Sequence, residues 1–133
     1  MPTVLVIDDD EDDRMILEEA MYEINPLIEC LKSNNGATIL AELKTSLTPL
    51  PDVIFLDWNM PRMNGLECLK ELKKDDNLKN IPVVIYTSEP EEDLAMKYGA
   101  SYLVTKIPDY RQLCENLKVV LDCELLKIAS RKS

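Results

Sequence analysis

The chain reads as an α/β domain built on a parallel sheet. Three observations predict this. Short apolar runs alternate with longer segments of helical periodicity, five of each. The apolar runs lack the polar alternation of a strand with one wet face, so they are strands buried on both sides. The 133 residues are 46% hydrophobic and 30% charged, enough apolar material for one packed domain and too little chain for two.

Val4–Ile7 reads as the first buried strand. Over Met15–Ile24 the apolar residues Ile16, Leu17, Ala20, Met21 and Ile24 form a helical stripe that stops before Pro26. Ile28–Leu31 is a weak second strand, ended by the turn Ser33-Asn34-Asn35-Gly36. A second helix fits Ala37–Leu47, and Pro49-Leu50-Pro51 is a connector. Val53–Leu56 is the third strand and ends in Asp57. Gly65–Lys74 reads as a helix with Leu66, Leu69 and Leu72 on one side. Ile81–Tyr86 is the fourth strand, announced by Pro82, and Asp93–Tyr98 is a short helix closed by Gly99. Tyr102–Thr105 is the fifth strand. A long helix follows from Tyr110 to about Ile128, with Leu113, Leu117, Val120, Leu121, Leu125 and Ile128 along one side. The basic residues from Lys127 to Lys132 suit a helix C-terminus, and the tail 129–133 is a candidate for disorder.

Composition narrows the chemistry. Net charge is −10, and no basic patch or helix-turn-helix stands out, so direct DNA binding is not expected. Cys30, Cys68, Cys114 and Cys123 are widely spaced, with no CxxC, and no signal peptide is apparent. Free thiols, serving mainly as core fillers in a reducing cytoplasm, are the expectation. No apolar run approaches the roughly 20 residues of a membrane span, so no membrane insertion is expected. Histidine is absent, which removes histidine metal sites, Ser-His-Asp and Cys-His catalysis and any histidine general base. Carboxylates dominate what remains.

In open α/β sheets ligands bind beyond the carboxyl ends of the strands. The residues there are Asp8-Asp9, Asp57, Thr87-Ser88 and Lys106. If the strand order is 2-1-3-4-5, strands one, three, four and five are neighbours and these ends converge. Three carboxylates in low dielectric repel unless a cation joins them, and Mg²⁺ suits few carboxylates plus water. Lys106 adds a positive charge and Thr87 a hydrogen-bond donor. Such a set can hold a phosphoryl group while one carboxylate attacks phosphorus.

The stretches MPTVLVIDDDEDD, VIFLDWNMPRMNGLE, VVIYTSE and GASYLVTK resemble the motifs of response-regulator receiver domains of two-component signalling. The resemblance covers nearly the whole chain, in order, and DWNMPRMNG is its most specific part. It implies a single receiver domain over residues 1–133 with a flavodoxin-like, doubly wound fold: five parallel strands in the order 2-1-3-4-5 and five helices. It implies that Asp57 is the phosphoacceptor, attacking a phosphohistidine of a histidine kinase or phosphotransfer protein. Asp8, Asp9, Asp57 and the backbone carbonyl of Asn59 would hold Mg²⁺ or Mn²⁺. Thr87 would bind a phosphoryl oxygen and move on phosphorylation, and Lys106 would pair with the phosphoryl group. Met60-Pro61 and Gly65 would shape the loop after Asp57, where glycine permits a backbone form that other residues resist. Ser88 is small and would leave the phosphoryl group accessible. Glu89 and Asn59 would flank an attacking water and tune loss of phosphate.

The implied protein is a stand-alone cytoplasmic response regulator, not an enzyme acting on external substrates. It would pass phosphoryl groups on, or dock a downstream protein target through helix four, strand five and helix five. The last helix is long for such a domain. Its end, around Leu125, Leu126 and Ile128, is a candidate surface for a homodimer.

The six consecutive acids Asp8 to Asp13 then divide. Asp8 and Asp9 belong to the metal site. Asp10 to Asp13 lie where a helix begins, and acids there complement its dipole by roughly 0.3–1 kcal/mol each. Trp58 is either partner-facing or cover for the site.

Two departures from the family pattern stand out. The family usually has Lys-Pro after strand five, often with a cis bond. Lys106-Ile107-Pro108 separates the two residues, so a rearranged loop is expected. The family often has an aromatic three residues before the lysine. Here that position is Leu103, with Tyr102 one residue earlier, so either the switch aromatic is missing or strand five is bulged.

Rival functions fit less well. Asp8, Asp10, Asp12 and Glu19 match ligand positions of a calcium loop, but Asp13 stands where its glycine is needed, and a buried strand precedes it instead of a helix. Aspartyl-phosphate phosphatases usually carry an acid two residues after the nucleophile, where this chain has Asn59. A receiver fold serving as a phosphorylation-independent interaction module is the alternative that keeps the fold.

Overall fold

The structure is a computed structural model that describes residues 2–45, 49–61 and 63–132, with the side chains of 125 and 128–132 excepted. The elements are β1 (Thr3–Ile7), α1 (Glu11–Ile24), β2 (Glu29–Ser33), α2 (Gly36–Lys44), β3 (Val53–Leu56), α3 (Gly65–Lys74), β4 (Val83–Thr87), α4 (Glu92–Lys97), β5 (Tyr102–Thr105) and α5 (Tyr110–Lys132). All strand pairings are parallel and the order is β2-β1-β3-β4-β5, as the resemblance implies.

Strand side chains alternate between two cores. Leu5, Ile7, Ile54, Leu56, Val83 and Ile85 pack with Leu40, Leu43, Leu69, Leu72 and Ala95 on the side of α2, α3 and α4. Val4, Val6, Phe55, Val84 and Val104 pack with Leu17, Met21, Leu113, Leu117 and Leu121 on the side of α1 and α5. Two covered faces explain why the central strands carry no polar alternation.

Several boundaries differ from the periodicity reading. Helix α1 starts at Glu11, a turn before Met15, because Asp10 caps it by accepting from the Asp13 N–H at 3.0 Å. Strand β2 runs to Ser33, because its register with β1 pairs Thr3 with Glu29 through to Ile7 with Ser33. Helix α2 starts one residue early, capped by Asn35, and ends with Thr45 as its cap; the expected end at Leu47 lies outside the described residues. Strand β4 is shifted to Val83–Thr87, and α4 spans Glu92–Lys97, with Gly99 behind it at a φ of 104°. Helix α5 continues past Ile128 to Lys132, through the segment read as a candidate tail.

On α5, Leu113, Leu117, Val120 and Leu121 are buried as expected, and Leu126 is exposed. The side chains of Leu125 and Ile128 lie outside the described ones. Glu124 is buried on the same helix, where Lys127 Nζ reaches its Oε1 at 3.3 Å. Among the four free cysteines, Cys68 is a buried core residue, whereas Cys123 is exposed and fills no core. Among the described residues, no helix is long and apolar enough to cross a membrane.

Candidate functional site

The site is assembled by backbone pairing that runs one residue past the strands. The Asp8 N–H donates to the Ser33 carbonyl (3.0 Å), the Asp57 N–H to the Ile7 carbonyl (2.9 Å) and the Lys106 N–H to the Thr87 carbonyl (2.8 Å). Each site residue is therefore the next rung of a rigid ladder. Asp8, Asp57 and Thr87 are buried, Lys106 is half-buried, and Asp9 and Asn59 are exposed.

Lys106 is the electrostatic centre. Its Nζ lies 2.8 Å from Asp8 Oδ2, 2.8 Å from Asp13 Oδ2 and 3.5 Å from Asp57 Oδ2. It also lies 5.3 Å from the centre of the Tyr86 ring. The hydrogen bond goes to Asp13. Asp8 Oδ2 is buried and, among the described residues, has the Lys106 ammonium as its one polar partner.

Burial pushes the Asp8 carboxyl up to about 6, against the pull of Lys106 and of the Asp10 N–H; the Asp57 charge adds to the rise. For Lys106, burial works against the ammonium, but contacts with Asp13 and Asp8 and the charge of Asp57 outweigh it and hold the lysine above its ordinary range. Burial also pushes the Tyr86 phenol up to about 12.

A carboxylate oxygen from each of Asp8, Asp9 and Asp57 lies within 4.8 Å of the others. With the buried Asp8 Oδ2 among them, this hard-oxygen set fits a divalent cation such as Mg²⁺ or Mn²⁺. Asn59 turns two groups inward: its backbone N–H donates to Asp57 Oδ1 (3.3 Å) and its side-chain amide to Thr87 Oγ1 (3.4 Å).

The loop after Asp57 closes on itself through the Gly65 N–H, which donates to the Trp58 carbonyl at 2.9 Å. Gly65 is needed for close approach. A Cβ there would stand 2.6 Å from the Asp57 carbonyl oxygen and from Trp58 Cα. The expectation that this glycine supplies an unusual backbone conformation is corrected, because among the described glycines only Gly99 has a positive φ. Asn64 caps α3 through the Glu67 N–H at 2.9 Å. Trp58 is buried, packed in the α2/α3/α4 core.

The two departures also resolve. No described peptide bond is cis, and Ile107 packs with the α1/α5 core. Strand β5 pairs with β4 in unbroken register, Val84 with Tyr102 through Thr87 with Thr105. No bulge moves Tyr102 into the place of Leu103, so that position holds an aliphatic side chain, packed against the α2/α3/α4 core.

All six expected site residues come together. Sequence reading missed two participants. Asp13 looked like one of four helix-start charges, and Glu91 carried no signal for its bond to Trp58. Their contacts cross 93 and 33 residues of chain, which no local pattern encodes.

The response regulator receiver domain family matches residues 4–118. The chain belongs to this family. The receiver is 31% identical over 121 residues to the chemotaxis protein CheY1 of Helicobacter pylori, covering 89% of this chain and 95% of that one. It is 32% identical over 122 residues to the phosphate regulon transcriptional regulatory protein PhoB of Pseudomonas aeruginosa, covering 90% of this chain and 51% of PhoB, so it spans about half the length of that relative. Among solved structures, the phosphorylated cyanobacterial phytochrome response regulator RcpA superposes with a TM-score of 0.84 at 27% identity, over 93% of this chain and 94% of that one. The Mn²⁺-bound form of response regulator Rcp1 superposes with a TM-score of 0.79 at 25% identity, over 90% and 91%.

Proposed function

We propose that this receiver accepts a phosphoryl group on Asp57 from a phosphohistidine of a histidine kinase or phosphotransfer protein, with a bound Mg²⁺ or Mn²⁺. One observation carries the reading. Among the described residues a single ammonium, Lys106, pairs with three carboxylates, of which Asp8 and Asp57 are buried, while the Arg14 guanidinium goes to the Asp8 backbone carbonyl, so these acids gain from a cation and a phosphoryl group together.

Asp8, Asp9 and Asp57, with the Asn59 carbonyl, would hold the cation, which when bound supplies positive charge to the carboxylates and to phosphoryl oxygens. A carboxylate oxygen of Asp57 attacks phosphorus; the phosphorus–nitrogen bond of the donor breaks and its electron pair leaves with the imidazole. Lys106 and the Thr87 hydroxyl stabilise the phosphoryl oxygens. Thr87 Oγ1 accepts from the Asn59 side-chain amide, so its own hydroxyl proton is available to donate to a phosphoryl oxygen. Ser88 and Glu89 are exposed just past the end of β4; Glu89 and Asn59 would flank the approach of water that ends the signal.

The protein is a phosphoacceptor and turns over no external phosphoester, since Asn59 replaces the second acid such enzymes carry. It works in the cytoplasm as a response regulator. Its phosphorylation shifts a two-state equilibrium read by a protein target at α4, β5 and α5.

The test is intact mass after incubation with acetyl phosphate, with Mg²⁺ or with EDTA, for wild type and Asp57→Asn. A gain of one phosphoryl group that needs both Mg²⁺ and Asp57 supports the reading. No gain in a folded protein leaves the phosphorylation-independent interaction module. Phosphate release without an adduct points to a phosphatase.

A further inference from the structure

Asp13 holds a position that helix capping does not explain. It is the third residue of α1, where an acidic side chain commonly reaches back to the N–H of the cap residue. That N–H, of Asp10, is already taken by Asp8 Oδ1 at 3.0 Å. The Asp13 carboxylate instead crosses to Lys106, which it meets at 2.8 Å, closer than Asp57 at 3.5 Å.

The two near carboxylates differ in burial. The Asp8 side chain is 1% exposed and that of Asp13 33%. An ammonium that turns toward a new anion must leave a partner behind. Leaving Asp8 strands a buried charge, whereas leaving Asp13 returns a carboxylate to water at small cost.

We infer that Asp13 is a positioning residue: in the unphosphorylated protein it keeps the Lys106 ammonium no nearer than 3.5 Å to Asp57, and it is the partner given up when a phosphoryl group arrives. This rests on the phosphoacceptor reading above and adds to it a competitor for the lysine. Asp13 touches neither donor nor phosphoryl group and acts through Lys106 alone. Its removal frees the lysine for the reaction in which an Asp57 oxygen bonds to phosphorus and the donor's leaving group departs.

The experiment is the rate of adduct formation from acetyl phosphate and Mg²⁺, followed by intact mass. Wild type is compared with Asp13→Asn, Asp12→Asn, Lys106→Met and the Asp13→Asn/Lys106→Met double variant. Asp12 is an exposed neighbour of equal charge and controls for the field felt by an anionic donor. The expected result is a rate at least threefold higher for Asp13→Asn, less than 1.5-fold higher for Asp12→Asn, and no effect of Asp13→Asn once Lys106 is methionine. An unchanged or slower Asp13→Asn, an equal gain from Asp12→Asn, or a gain that survives without the lysine overturns the inference. The Asp12 comparison does not depend on the Lys106 variants folding. A wild type that takes no adduct defeats the phosphoacceptor reading itself. The hold on Lys106 is then judged by the cycle of wild type, Asp13→Asn, Lys106→Met and their double variant in guanidinium midpoints, where non-additive shifts support it and additive shifts overturn it.

Discussion

The indole Nε1 of Trp58 donates a 2.9 Å hydrogen bond to Glu91 Oε1 and so ties the residue after Asp57 to the start of α4. Glu91 is the N-cap residue of α4 but makes no side-chain cap bond, because its carboxylate is committed to the indole. With leucine at position 103, this bond is a direct link between the Asp57 loop and a helix of the proposed output face. Glu91→Ala should remove it. A hydrogen bond to a charged but exposed acceptor contributes about 1 kcal/mol. The guanidinium midpoint should fall accordingly, and emission from the chain's single tryptophan should change. A loss under about 0.3 kcal/mol with unchanged emission would show that the bond does not form in solution.

Gly65→Ala should be among the most damaging single-methyl additions to this chain. The new Cβ meets backbone atoms at 2.6 Å, and backbone cannot rotate away as a flexible side chain can. Overpacking of this kind costs about 1–3 kcal/mol or more. Because the displaced atoms are those of Asp57 and Trp58, adduct formation should slow together with the loss of stability. A variant as stable as wild type in chemical denaturation would refute the close approach.

Proton and metal should compete at Asp8. Burial pushes its carboxyl up to about 6 in the folded protein against an ordinary 3.8, so between those values the folded chain binds more protons than the unfolded one. Without metal, this group's contribution makes stability fall as pH rises from about 4 to 6, on the order of 2 kcal/mol, and level off above. A divalent cation needs the carboxylate. The rise in melting temperature from Mg²⁺ should therefore be full at pH 7.5 and shrink below pH 6. Thermal melts at pH 5, 6 and 7.5, with Mg²⁺ and with EDTA, check both signs; a Mg²⁺ effect as large at pH 5 as at 7.5 would contradict them.

Lys106→Met should destabilise the protein more in EDTA than in Mg²⁺. Removing the ammonium leaves Asp8 and Asp57 buried beside each other with no ion-pair partner among the described residues, a loss of about 3 kcal/mol for such a pair. A bound divalent cation replaces part of that charge. Denaturant midpoints of the variant in the two conditions measure the difference, and equal losses in both would argue that the cation does not sit among these carboxylates.

By itself the sequence determined the fold class, the number and kinds of elements, and which residues stand at the strand ends. These follow from local properties: apolar runs make doubly buried strands, periodic stripes make helices, and a parallel sheet gathers the residues after its strands at one edge. Asp8, Asp9, Asp57, Thr87 and Lys106 were legible for that reason. Tertiary structure alone decided how they are partnered. Of the acids Asp10 to Asp13, equivalent as helix-start charges, only Asp13 reaches Lys106. Gly65 matters through a backbone approach that no φ preference announces, and Trp58 through a glutamate 33 residues away. Such contacts join segments distant along the chain, and their energies depend on separations of a few ångströms that only the packed sheet and helices set.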